Sequence, residues 1–157
     1  MTRIGQGGLV LLPGEARAID LGGFDVLVHA DASASDGQFS LIETGEGSAG
    51  GGPPLHVHRN CAESFFVLAG RYTMYLDGRE VECPAGSFIY VPRGMEHTFK
   101  TLEAGSRKLN LYTPAGMVGY FDELAAGIAV GMGEAELSEL AARYEMEIVG
   151  PVPDDYL

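Results

Sequence analysis

The sequence predicts an all-β fold, a sandwich or barrel of short strands, with short helices only near its C-terminal end. Three observations carry that prediction. Short apolar runs recur roughly every 8–12 residues, the spacing of strands joined by tight turns. Glycine is abundant, 23 of 157 residues, and it gathers with proline and aspartate between those runs. Apolar residues make up 46% of the chain, enough for one core in a chain of single-domain length.

Strands are expected over 9–12, 16–21, 26–30 and 38–44, with Pro13-Gly14, Gly22-Gly23 and Asp36-Gly37 breaking the chain between them. Residues 45–54 form a glycine-rich loop that ends in Pro53-Pro54 and has no room for a helix. Further strands are expected over 63–69, 72–76, 87–91, 97–101 and 108–112. Asp77-Gly78 has the composition of a two-residue hairpin turn, and Pro84-Ala85-Gly86 and Pro92-Arg93-Gly94 that of further turns. Beyond Pro114 the pattern changes. Residues 120–126 suit a short helix, and Leu137, Leu140 and Ala141 stand at helical spacing within 134–144. Residues 146–149 suit one last strand, and Gly150-Pro151-Val152-Pro153 opens a frayed end. The chain thus divides into a β-barrel over 1–120 and a helical extension over 121–157 packed on it.

The net charge is −12. Such a surface repels phosphate backbones and anionic lipid, which argues against nucleic acid and membranes as partners. Much of the acid lies in the tail: from residue 121 onward Asp122, Glu123, Glu134, Glu136, Glu139, Glu145, Glu147, Asp154 and Asp155 face a single Arg143. A solvated helix face accounts for that run. Cys61 and Cys83 are too few for a disulfide framework, so a reducing, cytoplasmic setting is expected. No apolar run reaches the roughly 18 residues of a membrane span. Gly45-Glu46-Gly47-Ser48-Ala49-Gly50 matches a dinucleotide fingerprint literally, but Gly51-Gly52-Pro53-Pro54 cannot open the helix that would hold a pyrophosphate.

The chemistry sits with the histidines. His56 and His58 are two apart, so on a strand both side chains leave one face. Glu63 follows after a short turn, and His97 begins a later strand. Three imidazoles and a carboxylate suit one borderline divalent ion: Fe, Mn, Ni, Cu, Co or Zn. His29 and the two cysteines are read as structural.

The spacing resembles the cupin superfamily. Its first motif is matched by Gly50, His56-Val57-His58, Glu63 and Gly70, and its second by Gly86, Pro92-Arg93-Gly94 and His97. The motifs occupy 50–70 and 86–101, separated by 71–85, and Thr101 stands where the second motif ends in Asn. The resemblance implies a double-stranded β-helix, a jelly-roll barrel, with His56, His58, Glu63 and His97 as metal ligands. It also implies a homodimer. Within the superfamily the chain resembles the quercetin dioxygenase-like single-domain group, through Pro53-Pro54-Leu55-His56-Val57-His58, the run 63–70, Thr113-Pro114-Ala115-Gly116 leading to Phe121, and Leu140-Ala141-Ala142-Arg143-Tyr144. Glu63 sets it apart from thiol dioxygenases, which resemble a three-histidine site without that carboxylate.

Alternation outward from the ligands suggests a pocket wall of Phe65, Val67, Phe99 and Thr101, with Phe88 and Tyr90, or their neighbours, opposite. An apolar cup around a metal suits an aromatic or enolisable small molecule. Glu63 is the candidate general base. A dioxygenase using dioxygen is the first reading. The alternatives are a metal-dependent isomerase, epimerase or lyase working by enolisation, and a non-catalytic small-molecule-binding protein.

Overall fold

A computed structural model describes residues 1–5 and 7–150. The strands are β1 (Thr2–Ile4), β2 (Gly8–Val10), β3 (Arg17–Asp20), β4 (Phe24–Ala30), β5 (Ser40–Glu46), β6 (His56–His58), β7 (Ala62–Ala69), β8 (Arg71–Leu76), β9 (Arg79–Pro84), β10 (Phe88–Val91), β11 (His97–Thr101), β12 (Arg107–Thr113) and β13 (Met146–Ile148). Helices α1 (Met117–Ala129) and α2 (Glu134–Arg143) lie between the last two strands. One sheet runs β10-β7-β12-β5-β4-β3 and a second β13-β6-β11-β8-β9, both antiparallel throughout; β1 and β2 form a separate hairpin.

Period-2 alternation builds the interior. In β5 every second residue is buried, which sends Ser40, Ile42, Thr44 and Glu46 inward. Phe65, Val67, Tyr72, Met74, Ile89 and Val91 form one core cluster. A second joins Val26, Val28, Ile42 and Tyr112 to Met117 and Val118 of α1, Ala141 of α2 and Met146 of β13. Asp77 and Gly78, with φ of 48° and 74°, make the two-residue turn that sets Leu76 opposite Arg79. At Gly70 the constraint is close approach. A Cβ there would lie 2.8 Å from Ser106 Cα, so the closing of β7 onto the loop before β12 requires glycine.

Strands β1 and β9 fall outside the expected set, and helix α1 differs from it in length. Strand β9 has no apolar alternation because it is an edge strand; Arg79, Glu80, Val81 and Glu82 are exposed and only Cys83 turns inward. Helix α1 is longer than the expected 120–126, starting on the buried pair Met117 and Val118. Gly119 and Gly127 lower its helix propensity, and packing overrides them. The frayed end expected from Gly150 onward falls, beyond Gly150 itself, on 151–157, outside the described residues.

Strand β6 is central to the site. It lies between β13 and β11, with Met146 opposite His58 and Ile148 opposite His56. The Arg59 amide donates to the Glu145 carbonyl (2.8 Å) and the Val149 amide to the Leu55 carbonyl (2.9 Å), so the segment after α2 clamps both ends of the His-x-His strand.

Candidate metal centre

His56 and His58 leave the same face of β6, His97 opens β11 directly opposite His56, and Glu63 lies near the start of β7. All four are buried, from 1% exposed for His97 to 7% for His56. One ligand atom from each falls within 4.8 Å of the others. His58 Nε2 and His97 Nε2 stand 3.1 and 3.0 Å from the same oxygen, Glu63 Oε2.

The orientation of the rings is set by backbone. His56 Nδ1 lies 2.8 Å from the Pro54 carbonyl and His97 Nδ1 3.0 Å from that of Met95. A carbonyl only accepts, so Nδ1 carries the proton in both and each Nε2 presents a lone pair to the cluster. The cluster fits a divalent ion: with bonds of ~2.1 Å, neighbouring ligands on one ion stand about 3 Å apart, the spacing seen from Glu63 Oε2 to two of the imidazoles. Burial, reinforced by His97 and His58, pushes the His56 imidazole down to about 3. Burial alone would raise the Glu63 carboxyl, but the His58 and His97 imidazoles beside it outweigh that and hold it well below the usual carboxylate range. Metal binding needs an ionised carboxylate and imidazole nitrogens with free lone pairs.

The expected pocket residues divide. Phe65, Val67 and Thr101 are buried on inward positions, and Phe99 packs edge-on against Phe65 and Tyr72 at 6.2 and 5.7 Å between ring centroids. Phe88 and Tyr90, however, are 66% and 58% exposed. In the β10–β7 register Val91 pairs with Glu63 and Ile89 with Phe65, so the small aliphatics line the interior and the two aromatics face outward. Of the two parities the sequence leaves open for this wall, the strand takes the one that turns the neighbours Ile89 and Val91 inward. The 790 Å³ groove on the outer face of the six-stranded sheet, among Leu9, Leu41, Leu68 and Leu109, contains none of the four ligands.

Sequence reasoning missed the inward column of β12. Lys108, Asn110 and Tyr112 are all buried, while Leu109 and Leu111 take the other face. Asn110 Nδ2 donates to Glu63 Oε1 at 2.9 Å, and the Tyr112 phenol lies within electrostatic reach of the same carboxylate. Burial, with Glu63 adding to it, drives the Tyr112 phenol well above its ordinary value, so it remains a donor. Farther along the barrel, Lys108 Nζ meets Glu46 and Thr44 and lies 3.8 Å from the centre of the Phe99 ring. The available signal was a lysine, an asparagine and a tyrosine at alternate positions of one strand, which a buried polar column also satisfies.

The cupin domain family matches residues 38–108, the stretch from just before β5 to the start of β12 that includes all four ligands. The chain carries a cupin domain. Over 66 residues the chain is 35% identical to quercetin 2,3-dioxygenase of Bacillus subtilis (strain 168), a match covering 42% of this chain and about a fifth (19%) of that relative's length. Among solved structures, KdgF from Halomonas sp. superposes with a TM-score of 0.62 at 17% identity, over 69% of this chain and 96% of that one. The polyketide cyclase RemF from Streptomyces resistomycificus gives a TM-score of 0.58 at 23% identity, over 68% and 79%. These superpositions establish the cupin β-barrel as the fold.

Proposed function

We propose that this cupin is a metal-dependent dioxygenase acting on a small aromatic or enolisable molecule, of the quercetin 2,3-dioxygenase type. The observation that carries the reading is the buried convergence of His56, His58, Glu63 and His97 on one point, with Phe65 and Phe99 beside it. The 35% identity to a quercetin 2,3-dioxygenase supports the choice of chemistry. A divalent ion held by these four residues would supply Lewis acidity toward a phenol or enol oxygen.

The chain's own residues do the rest. The Pro54 and Met95 carbonyls hold two imidazoles in the ligating tautomer. Phe65, Val67, Ile89 and Val91 keep the interior beside the ligands apolar, which favours an uncharged ring over a sugar phosphate. Glu63 is the proton acceptor within reach. The four exposed apolar side chains Phe66, Leu68, Phe88 and Tyr90, on β7 and the edge strand β10, support a homodimer formed through that face.

The deciding experiment measures oxygen uptake by the metal-loaded chain across a panel of flavonols. Uptake with ring cleavage is expected. Turnover of a keto acid or sugar under anaerobic conditions, with no oxygen consumed on any flavonol, would replace it with a second reading, a non-oxidative isomerase, epimerase or lyase. The likeness to the fold of a polyketide cyclase keeps that second reading in view.

A further inference from the structure

Asn110 stands beside Glu63 with its amide already oriented. A carboxylate only accepts hydrogen bonds, so the atom 2.9 Å from Glu63 Oε1 is Nδ2. A flip would set Oδ1 against that carboxylate oxygen. That leaves Oδ1. The residue is 4% exposed, and Oδ1 has no hydrogen-bond partner within the protein. Buried acceptors are rarely left so, because the water given up is not replaced. Glu63 is divided by the same contacts: Oε2 faces His58 and His97, while Oε1 is held by Asn110.

The geometry points to Asn110 as the residue that decides what sits beside Glu63. It confines the carboxylate to one ligating oxygen and presents Oδ1 to a non-protein group that must be a hydrogen-bond donor. Water on the metal, or a substrate bearing a hydroxyl or N–H next to its metal-bound oxygen, satisfies Oδ1; an acceptor-only anion does not. This rests on reading the cluster as a metal centre that takes a small molecule.

The test uses the full chain loaded with Co(II), whose visible absorption reports changes among its ligands, and azide as the probe, which carries no hydrogen. In the wild type, azide displaces a donor and strands Oδ1. Asn110→Leu, of similar size, has no acceptor to strand. At equal Co(II) content, azide should bind the variant about tenfold more tightly than the wild type, the scale of one unsatisfied acceptor. Equal or weaker binding overturns the inference and leaves Asn110 as a scaffold for Glu63. A second measurement needs no variant: a crystal structure of the metal-loaded wild type should place a water or other donor within about 3.2 Å of Oδ1. An Oδ1 facing only carbon overturns the inference equally. A wild type that takes up no Co(II) overturns the metal-centre reading and this inference with it, whereas the other two failures touch this inference alone.

Discussion

Lys108 Nζ and Glu46 Oε1 form an ion pair of 2.8 Å inside the barrel, one inward position along β12 from Asn110. Thr44 Oγ1 accepts a second ammonium hydrogen at 2.7 Å, and the Tyr72 hydroxyl donates to the other Glu46 oxygen. Burial lowers the Lys108 ammonium from its ordinary value, against the pull of Glu46. Removing one partner of such a pair leaves a charge in the interior, at a cost of about 3–5 kcal/mol. Glu46→Ala should therefore destabilise the fold by about that much in urea unfolding, and Lys108→Met combined with Glu46→Gln should recover most of it. A loss below about 1 kcal/mol in the single variant would mean the ammonium is reached by water and behaves as a surface charge.

The register of β10 makes a prediction of the opposite kind for neighbouring residues. Ile89→Ala opens a cavity beside Phe65 and should cost about 2–5 kcal/mol. Phe88→Ser and Tyr90→Ser act on exposed side chains, so metal content should be unchanged, and any effect should appear as weaker self-association in light scattering. Metal lost from either serine variant would put these aromatics back at the site.

What could be read from the sequence follows from how local each signal is. His56-Val57-His58 needs only strand geometry to share a face, and Asp77-Gly78 needs only two residues with positive φ. Parity is harder. Ile89 and Val91 alternate with Phe88 and Tyr90, all four apolar, and only pairing with Glu63 and Phe65 decides which pair turns inward. The same blindness hid Asn110 and Tyr112. Leu109 and Leu111 look like the buried face of β12, yet they face the outer side of the sheet, where Leu109 joins Leu41 and Leu68 in an apolar groove. The role of β13 was invisible for another reason: its contact with β6 joins residues nearly ninety apart, as in the Arg59–Glu147 ion pair.

His58 carries the metal prediction. Its Nε2 lies 3.1 Å from Glu63 Oε2 at the centre of the cluster. His58→Ala should reduce bound divalent metal from one per chain to well below stoichiometric, read by elemental analysis after dialysis. Full retention would remove His58 from the ligand set.

The tie between the two helices should be visible at alkaline pH. The Tyr144 hydroxyl donates to Glu123 Oε1 at 2.6 Å, and Arg143 binds the other oxygen of that carboxylate. This hydrogen bond, helped by partial burial, pushes the Tyr144 phenol up from 10 to about 12. The fold therefore favours the protonated phenol. Its contribution is whole below pH 10 and disappears as the pH rises through about 12. Wild type should lose its stability advantage over Tyr144→Phe across that window, followed by thermal unfolding. An advantage that persists above pH 12 would place the tie elsewhere.

Glu63→Gln separates holding the metal from moving protons. Asn110 Nδ2 requires an acceptor opposite it, so the glutamine will turn its carbonyl toward Asn110 and its amide nitrogen toward His58 and His97. That nitrogen is no ligand, so the ion is left to three imidazoles, which suit a borderline divalent metal well enough to keep it at saturating concentration. Neither end of the amide can take a proton from a phenol or enol. General base catalysis typically contributes about 10²–10⁴-fold, so turnover should fall by that factor while metal content stays near one per chain. Both must be measured on the same preparation, because lost metal would imitate lost catalysis. Metal and turnover both near wild type would make Glu63 a spectator, and substrates would then have to arrive already ionised. Metal lost together with turnover would instead make the carboxylate indispensable as a ligand, with Asn110 as the residue that keeps it on the ion.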